Sequence, residues 1–248
     1  MMHAPHIVAA IQFEPVPRDV VANMAIASQL AFEAAAKGAR VVVLPELCMS
    51  GHALANVREA ADCAQAQGGH QTECLAPIAV RFGCHIVHGY VEAFNGRLYN
   101  SAALIGPLGT VIGNSRKRNL WGGDHLWASP ADSVMPIVPT QVGRIGALIG
   151  RDGANVMRSS APFPRPGVPL YTPGSLDVLC LLTCKDIDNG YPDAEWVDLA
   201  ESTKTNVIVS NAQGPRRGGS CVIDRMLRTW THGTSFEDAA VVGGVVLL

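Results

Sequence analysis

A chain of 248 residues with a formal charge of −2, 48% hydrophobic and only 16% charged residues holds enough apolar material for a full core as one large domain, and has no basic field for nucleic acid or an acidic membrane surface. No apolar run reaches the roughly 18 residues that cross a bilayer, and MMHAPHIVAAIQF lacks the basic and long apolar regions of a secretory leader. The seven cysteines (48, 63, 74, 84, 180, 184, 221) are scattered, without CxxC spacing or a zinc-type Cys/His cluster. The expectation is a soluble, cytoplasmic protein with reduced thiols, no metal and no cofactor, acting on a small molecule, with neither nucleic acid nor membrane as partner.

In chain order, IVAAIQF predicts a strand closed by Pro15 and Pro17. Asp19 caps a helix whose apolar positions, Val20, Val21, Met24, Ala27, Leu30, Ala31 and Ala34, recur at helical spacing up to Lys37-Gly38. RVVVLPE follows as a short β-branched run stopped by proline, a strand buried on both faces. The result is a β-α-β unit with parallel pairing, and Glu46 stands where its second strand ends. A carboxylate there is costly to desolvate unless paired or used, which makes it a functional candidate beside the plainer reading of a solvated loop residue.

Residues 56–69 read as a loop or short helix, 74–81 as a helix and HIVHGYVEA (85–93) as a strand. Asn95-Gly96 turns the chain into RLYNSAALIGP, and the turn at 106–109 leads to TVIGNSRK, an antiparallel meander ending at Lys117. The stretch 119–140 predicts an ordered irregular loop, and RIGALIG (144–150) another buried strand. APFPRPGVP, with four prolines, excludes helix and inner strand and predicts an exposed excursion or lid over 158–173. LDVLCLLTC (176–184), DAEWVDLAEST (193–203), NVIVSNAQG (206–214), SCVIDRMLRTW (220–230) and the terminal AVVGGVVLL then read as strand, helix, strand, strand with turn, and strand. His85 and His88 fall on opposite faces of their strand, which argues against a shared metal. The turn at Arg216-Arg217-Gly218-Gly219 either receives a carboxylate or is a solvated loop, and the tryptophans with the Pro-rich stretch form either a lid or a dimer contact.

With these pieces in order the chain resembles the nitrilase, or carbon–nitrogen hydrolase, superfamily over nearly its full length. The matching stretches are VAAIQFEP, AAAKGARVVVLPELCMSG, GYVEAFNGRLYNSAALIGPLGTVIGNSRKRNLW, VGRIGALI and NVIVSNAQGPRRGGSCVID; each alone is weak, and their order and spacing are specific. The resemblance implies an α/β fold of the nitrilase type, a four-layer α-β-β-α sandwich formed by residues 1–248 as one domain, pairing through its helices into a homodimer or a higher homo-oligomer. It also implies a Glu, Lys and Cys catalytic set acting on small amides, N-carbamoyl compounds or nitriles. Glu46 matches the general base and Lys117 the ammonium that supports the oxyanion. Asp124 lies where many members carry a second glutamate.

The family's cysteine follows a strand like GRIGALI, where this chain has Gly150, Arg151 and Asp152. A rival alignment puts the nucleophile at Cys184, but only 64 residues follow Cys184, against 98 after Gly150, and the later NVIVSNAQG match falls in place only with Gly150 at the elbow. Gly150 is therefore the nucleophile position by alignment. Cys184 is either a relocated thiol with a depressed pKa or a small core filler. Asn211 either lines the pocket or caps a turn. Arg151 is expected to fill the pocket and neutralise Glu46. Three functions follow: a hydrolase with its nucleophile lost or relocated, a non-catalytic descendant that binds a small amide or carboxylate or serves as an assembly partner, and an enzyme of different chemistry in the same pocket.

Overall fold

The computed structural model describes residues 5–133, 135–153, 175–186, 193–214, 217–230 and 240–247; the Pro-rich stretch 158–173 lies outside them. The chain begins with strand β1 (Pro5–Gln12) and helix α1 (Val20–Ala36). Asp19 caps α1 by accepting a hydrogen bond from the Ala22 amide (3.0 Å). At the other end Gly38, at φ +93°, takes the left-handed conformation that lets Ala39 N–H return to the Ala34 carbonyl. The helix buries a narrow stripe of alanines, Ala27, Ala31 and Ala34, with Met24 packed beside it. Val21, expected on this face, is 79% exposed, because it sits well round the helix from that stripe.

Strand β2 (Val41–Val43) pairs parallel with β1 and with β3 (His85–Phe94). Three short helices, α2 (Val57–Cys63), α3 (His70–Glu73) and α4 (Ala76–Phe82), fill the connection between β2 and β3. A two-residue turn follows, with Asn95 and Gly96 both at positive φ, and leads to β4 (Arg97–Ile105); β5 (Val111–Arg116) completes the meander. A 3₁₀ turn (Gly122–Leu126) precedes β6 (Val138–Thr140) and β7 (Gly143–Ile149). β6 lies in the stretch expected to be irregular. It is only three residues long and contains Pro139, and it survives as an edge strand paired to β7.

The second half supplies β8 (Val178–Thr183), α5 (Ala194–Thr203), β9 (Asn206–Asn211), β10 (Cys221–Ile223), β11 (Thr229–Trp230) and β12 (Ala240–Leu247). Two six-stranded mixed sheets result, ordered β12-β1-β2-β3-β4-β5 and β11-β10-β9-β8-β7-β6. The last strand crosses back to pair antiparallel with the first. Between the sheets Val8, Ala10, Val41, Val43 and Val87 meet Ile145, Ile149, Val178, Leu182 and Ile208. The outer face of the first sheet packs on α1 and α4, and that of the second on Trp196, Leu199 and Ala200 of α5. The architecture is the expected four-layer α-β-β-α sandwich. No helix among the described residues is long and apolar enough to cross a membrane.

Candidate active site

The parallel strands β2, β7, β8 and β9 run in register with their neighbours, so their carboxyl ends collect along one edge of the sandwich, the usual place for ligands in parallel α/β sheets. Glu46 lies just beyond β2, Lys117 beyond β5, Gly150 beyond β7 and Cys184 beyond β8, all lining one cavity of about 560 Å³.

The centre of the cluster is a buried ammonium held by two buried carboxylates. Lys117 Nζ donates to Glu46 Oε1 (2.7 Å) and to Asp124 Oδ2 (2.6 Å). Exposure of these side chains is 8% or less. Burial by itself lowers the Lys117 pKa; the Glu46 and Asp124 charges outweigh it and hold the ammonium above the ordinary lysine value. Asn100, on β4, bridges the same pair, its amide nitrogen donating to Glu46 Oε1 (2.9 Å) and Asp124 Oδ1 (3.2 Å). The Trp121 amide donates to Asp124 Oδ2 (3.1 Å), fixing the 3₁₀ turn that carries the aspartate. Two of the three Lys117 N–H groups are engaged, and Glu46 Oε2 carries no hydrogen bond among the described residues.

Those two free ends converge on residue 150. A Cβ built on Gly150 lies 3.1 Å from Lys117 Nζ and 3.2 Å from Glu46 Oε2. Gly150 takes φ +51°, the strained strand-to-helix elbow geometry that glycine adopts without cost. Asp152 ties this elbow to the lysine loop. Its carboxylate accepts from the Arg118 amide (3.0 Å), the Asn119 amide (2.8 Å) and the Asn119 side chain (2.6 Å). Burial pushes the Asp152 pKa up, against those backbone donors.

The placement of Glu46 depends on a close crossing. A Cβ on Gly89 of β3 falls 2.5 Å from Leu47 N, 2.6 Å from the Pro45 carbonyl and 2.9 Å from Glu46 C. All three are backbone atoms that cannot turn aside. Gly89→Ala is therefore expected to destabilise the fold by about 3 kcal/mol, the upper end for overpacking, read as a lower urea midpoint. A midpoint unchanged from the parent would show that the Pro45–Leu47 turn is free to move.

Two of the other candidates line the same cavity. Arg151 lines the cavity but does not neutralise Glu46, whose partner is Lys117; its guanidinium stacks on Trp121, 3.1 Å from the ring centroid. Cys184 lines the cavity, yet its thiol is not depressed. Burial, and then the Glu46 charge, push its pKa up to about 12 against the Arg217 charge, so it is protonated at neutral pH. Asn211 is fully buried and braces the wall. Its amide oxygen accepts from the Lys185 amide, and its nitrogen donates to the Lys185 and Gly218 carbonyls, each at 2.8 Å. Of the tryptophans, Trp121 and Trp196 line the cavity, while Trp127 is core.

Asn100 and His52 escaped the sequence reading. Asn100 is one polar position in a strand, and its signal is a fully buried amide in the middle of β4. His52 lines the cavity with its Nε2 buried and without a hydrogen-bond partner among the described residues, and burial lowers its pKa. The only sequence cue for His52 was its place six residues after Glu46. Among the described residues no group of His, Cys, Asp and Glu is arranged to hold a metal ion.

Known proteins resemble this chain in sequence and in fold. A hydrolase from Pseudomonas protegens, described as lying in the pqqF 5′ region, is 35% identical over 144 residues, covering 57% of this chain and 50% of its own length. A nitrilase from Pyrococcus abyssi is 33% identical over 143 residues, covering 57% and 54%. The chain thus spans about half the length of these curated relatives. An amidase from Nesterenkonia sp. superposes with a TM-score of 0.78 at 17% identity, covering 100% of this chain and 90% of that one, a likeness of fold. The carbon-nitrogen hydrolase profile matches residues 7–155, the segment that carries Glu46, Asn100, Lys117, Asp124 and Gly150, and on that match the chain belongs to the carbon-nitrogen hydrolase family.

Proposed function

We propose that this chain is a carbon–nitrogen hydrolase-type protein whose cavity receives the carbonyl end of a small amide or carboxylate between Lys117 and Glu46, and whose nucleophile position, 150, has lost its thiol. The observation that carries this reading is the convergence of the free Lys117 N–H and the free Glu46 Oε2 on the side-chain direction of Gly150, at 3.1 and 3.2 Å from its Cβ position. A thiol there would have a carboxylate to take its proton and an ammonium to steady the oxyanion, the division of labour of a cysteine acyl-transfer site. Cys184 does not replace it on this reading, because a thiol titrating at about 12 offers almost no thiolate at neutral pH.

In a glutamate-to-glutamine mutant of the amidase from Nesterenkonia sp. AN1 the active-site cysteine takes up acrylamide by Michael addition, and the same probe tests the assignment here. The parent chain incubated with acrylamide is expected to stay unmodified at position 150 and at Cys184 by peptide mass mapping, whereas Gly150→Cys is expected to gain one adduct at residue 150. Rapid labelling of Cys184 in the parent would overturn the reading and restore the relocated thiol. A second reading, direct activation of water by Glu46, is favoured by the unbonded Oε2. It predicts slow amide turnover by the parent that Glu46→Gln abolishes and Cys184→Ser leaves unchanged.

A further inference from the structure

One fully buried asparagine is bonded to all three members of the Lys117 cluster. Asn100 lies on the face of β4 that also carries Ala102 and Leu104, which pack between the two sheets, so it is the polar exception in an apolar row. Its amide nitrogen donates to Glu46 Oε1 at 2.9 Å and to Asp124 Oδ1 at 3.2 Å, and its backbone carbonyl accepts the Lys117 N–H at 2.8 Å. Carboxylates only accept, so the amide must turn its nitrogen toward them. Both amide hydrogens are then committed, and Oδ1 is left buried with no hydrogen bond among the described residues.

That arrangement is costly if Asn100 only fills the core. A buried oxygen without a donor forfeits a hydrogen bond it would make in water, and an apolar side chain of similar size avoids the loss. What the amide provides is orientation. Lys117 Nζ also donates to Glu46 Oε1, at 2.7 Å, but an ammonium on a flexible four-carbon stem is a movable partner, and the terminal torsion of a glutamate is broad. Asn100 carries its donor on a short side chain, in a strand paired on one side at Val91 of β3, and so pins Oε1 from a fixed direction. With Oε1 held by two donors, the oxygen left facing the side-chain direction of Gly150 is Oε2, 3.2 Å from its Cβ position.

We infer that Asn100 is a positioning residue of this site: it fixes Glu46 Oε1 beside the lysine and presents Oε2 as the base toward position 150. This rests on the amide-pocket reading above and names the residue that orients its base. The backbone bond to Lys117 and the second donor bond to Asp124 tie the ammonium and its other carboxylate to the same strand residue, so base and oxyanion partner keep one spacing.

The test is a double-variant cycle on ammonia release from propionamide, run in the Gly150→Cys chain. Asn100→Leu is expected to lower kcat about a hundredfold, the scale of a misplacement near 1 Å, while KM changes less than about twofold because the amide's own contacts remain. In a Gly150→Cys, Glu46→Gln chain the same substitution should change kcat by less than about twofold, since no base is left to orient. Asn100→Ser, which also withdraws both amide donors, repeats the cycle should Asn100→Leu fail to fold, and urea midpoints report folding of each chain. An equal fall in both backgrounds shows that Asn100 acts on the fold alone and overturns the assignment. So does a loss confined to KM, an unchanged kcat in a folded Asn100 variant, or failure of both variants to fold. A folded Gly150→Cys chain that turns over no amide sinks the amide pocket, and the base that Asn100 orients goes with it; turnover indifferent to Asn100 sinks the positioning role alone.

Discussion

Gly150→Cys is expected to raise hydrolysis of small amides by at least about three orders of magnitude over the parent chain, well inside the roughly 10⁶-fold loss that follows removal of a covalent nucleophile. The new Cβ meets the movable end of Lys117 and one carboxylate oxygen at 3.1 and 3.2 Å, so the neighbours that must give way are flexible side-chain tips. The backbone at φ +51° penalises any side chain by about 1–2 kcal/mol, and the variant should melt slightly below the parent. Lys117 beside the new sulfur favours the thiolate, and Glu46 Oε2 is the acceptor for its proton. In the Gly150→Cys background, Glu46→Gln should return the rate toward the parent value. The measurement is steady-state ammonia release at neutral pH, with thermal melts to confirm folding. A folded Gly150→Cys chain that releases no ammonia from any small amide would falsify the vacated-elbow reading.

The legible parts of this molecule are those whose causes are local. The β1-α1-β2 unit was readable because Asp19 and Gly38 act on the helix they flank and the apolar run Val41–Leu44 ends at a proline. The Asn95-Gly96 hairpin was readable because few residue pairs accept two successive positive φ angles. Glu46 and Lys117 were visible as positions, through the order of motifs, but their ion pair joins residues 71 apart in the chain. Asn100 was invisible, since an asparagine in a strand announces nothing until Glu46 and Asp124 both arrive at its amide. Cys184 was left open between a depressed thiol and a core filler for a related reason. Sequence places charges near a thiol, but it does not weigh them against burial, which is the larger effect here. Arg151 was assigned to Glu46 because the aromatic face of Trp121, thirty residues earlier, could not be placed beside it.

The second large effect concerns Lys117 itself. Lys117→Met should cost about 3–5 kcal/mol of stability at pH 7, because it removes the one cation from a buried cluster and leaves two carboxylates facing the same asparagine amide. Lacking the ammonium, two uncompensated carboxylates remain buried side by side, and uptake of a proton relieves that charge. A carboxylate with a folded pKa above its unfolded value destabilises the fold where it is ionised, and the penalty shrinks as pH falls and the group takes up a proton. Urea denaturation should therefore show the gap between variant and parent narrowing from pH 7 to pH 5. Adding Glu46→Gln to Lys117→Met should recover part of the loss at pH 7, since one orphaned charge becomes a neutral amide of the same shape. A pH-independent gap, or a double variant no more stable than Lys117→Met alone, would mean that the lysine stabilises the site by packing its stem. The carboxylates would then be solvated by a route other than the ammonium, and the argument that Glu46 is held ready as a base would lose its electrostatic footing.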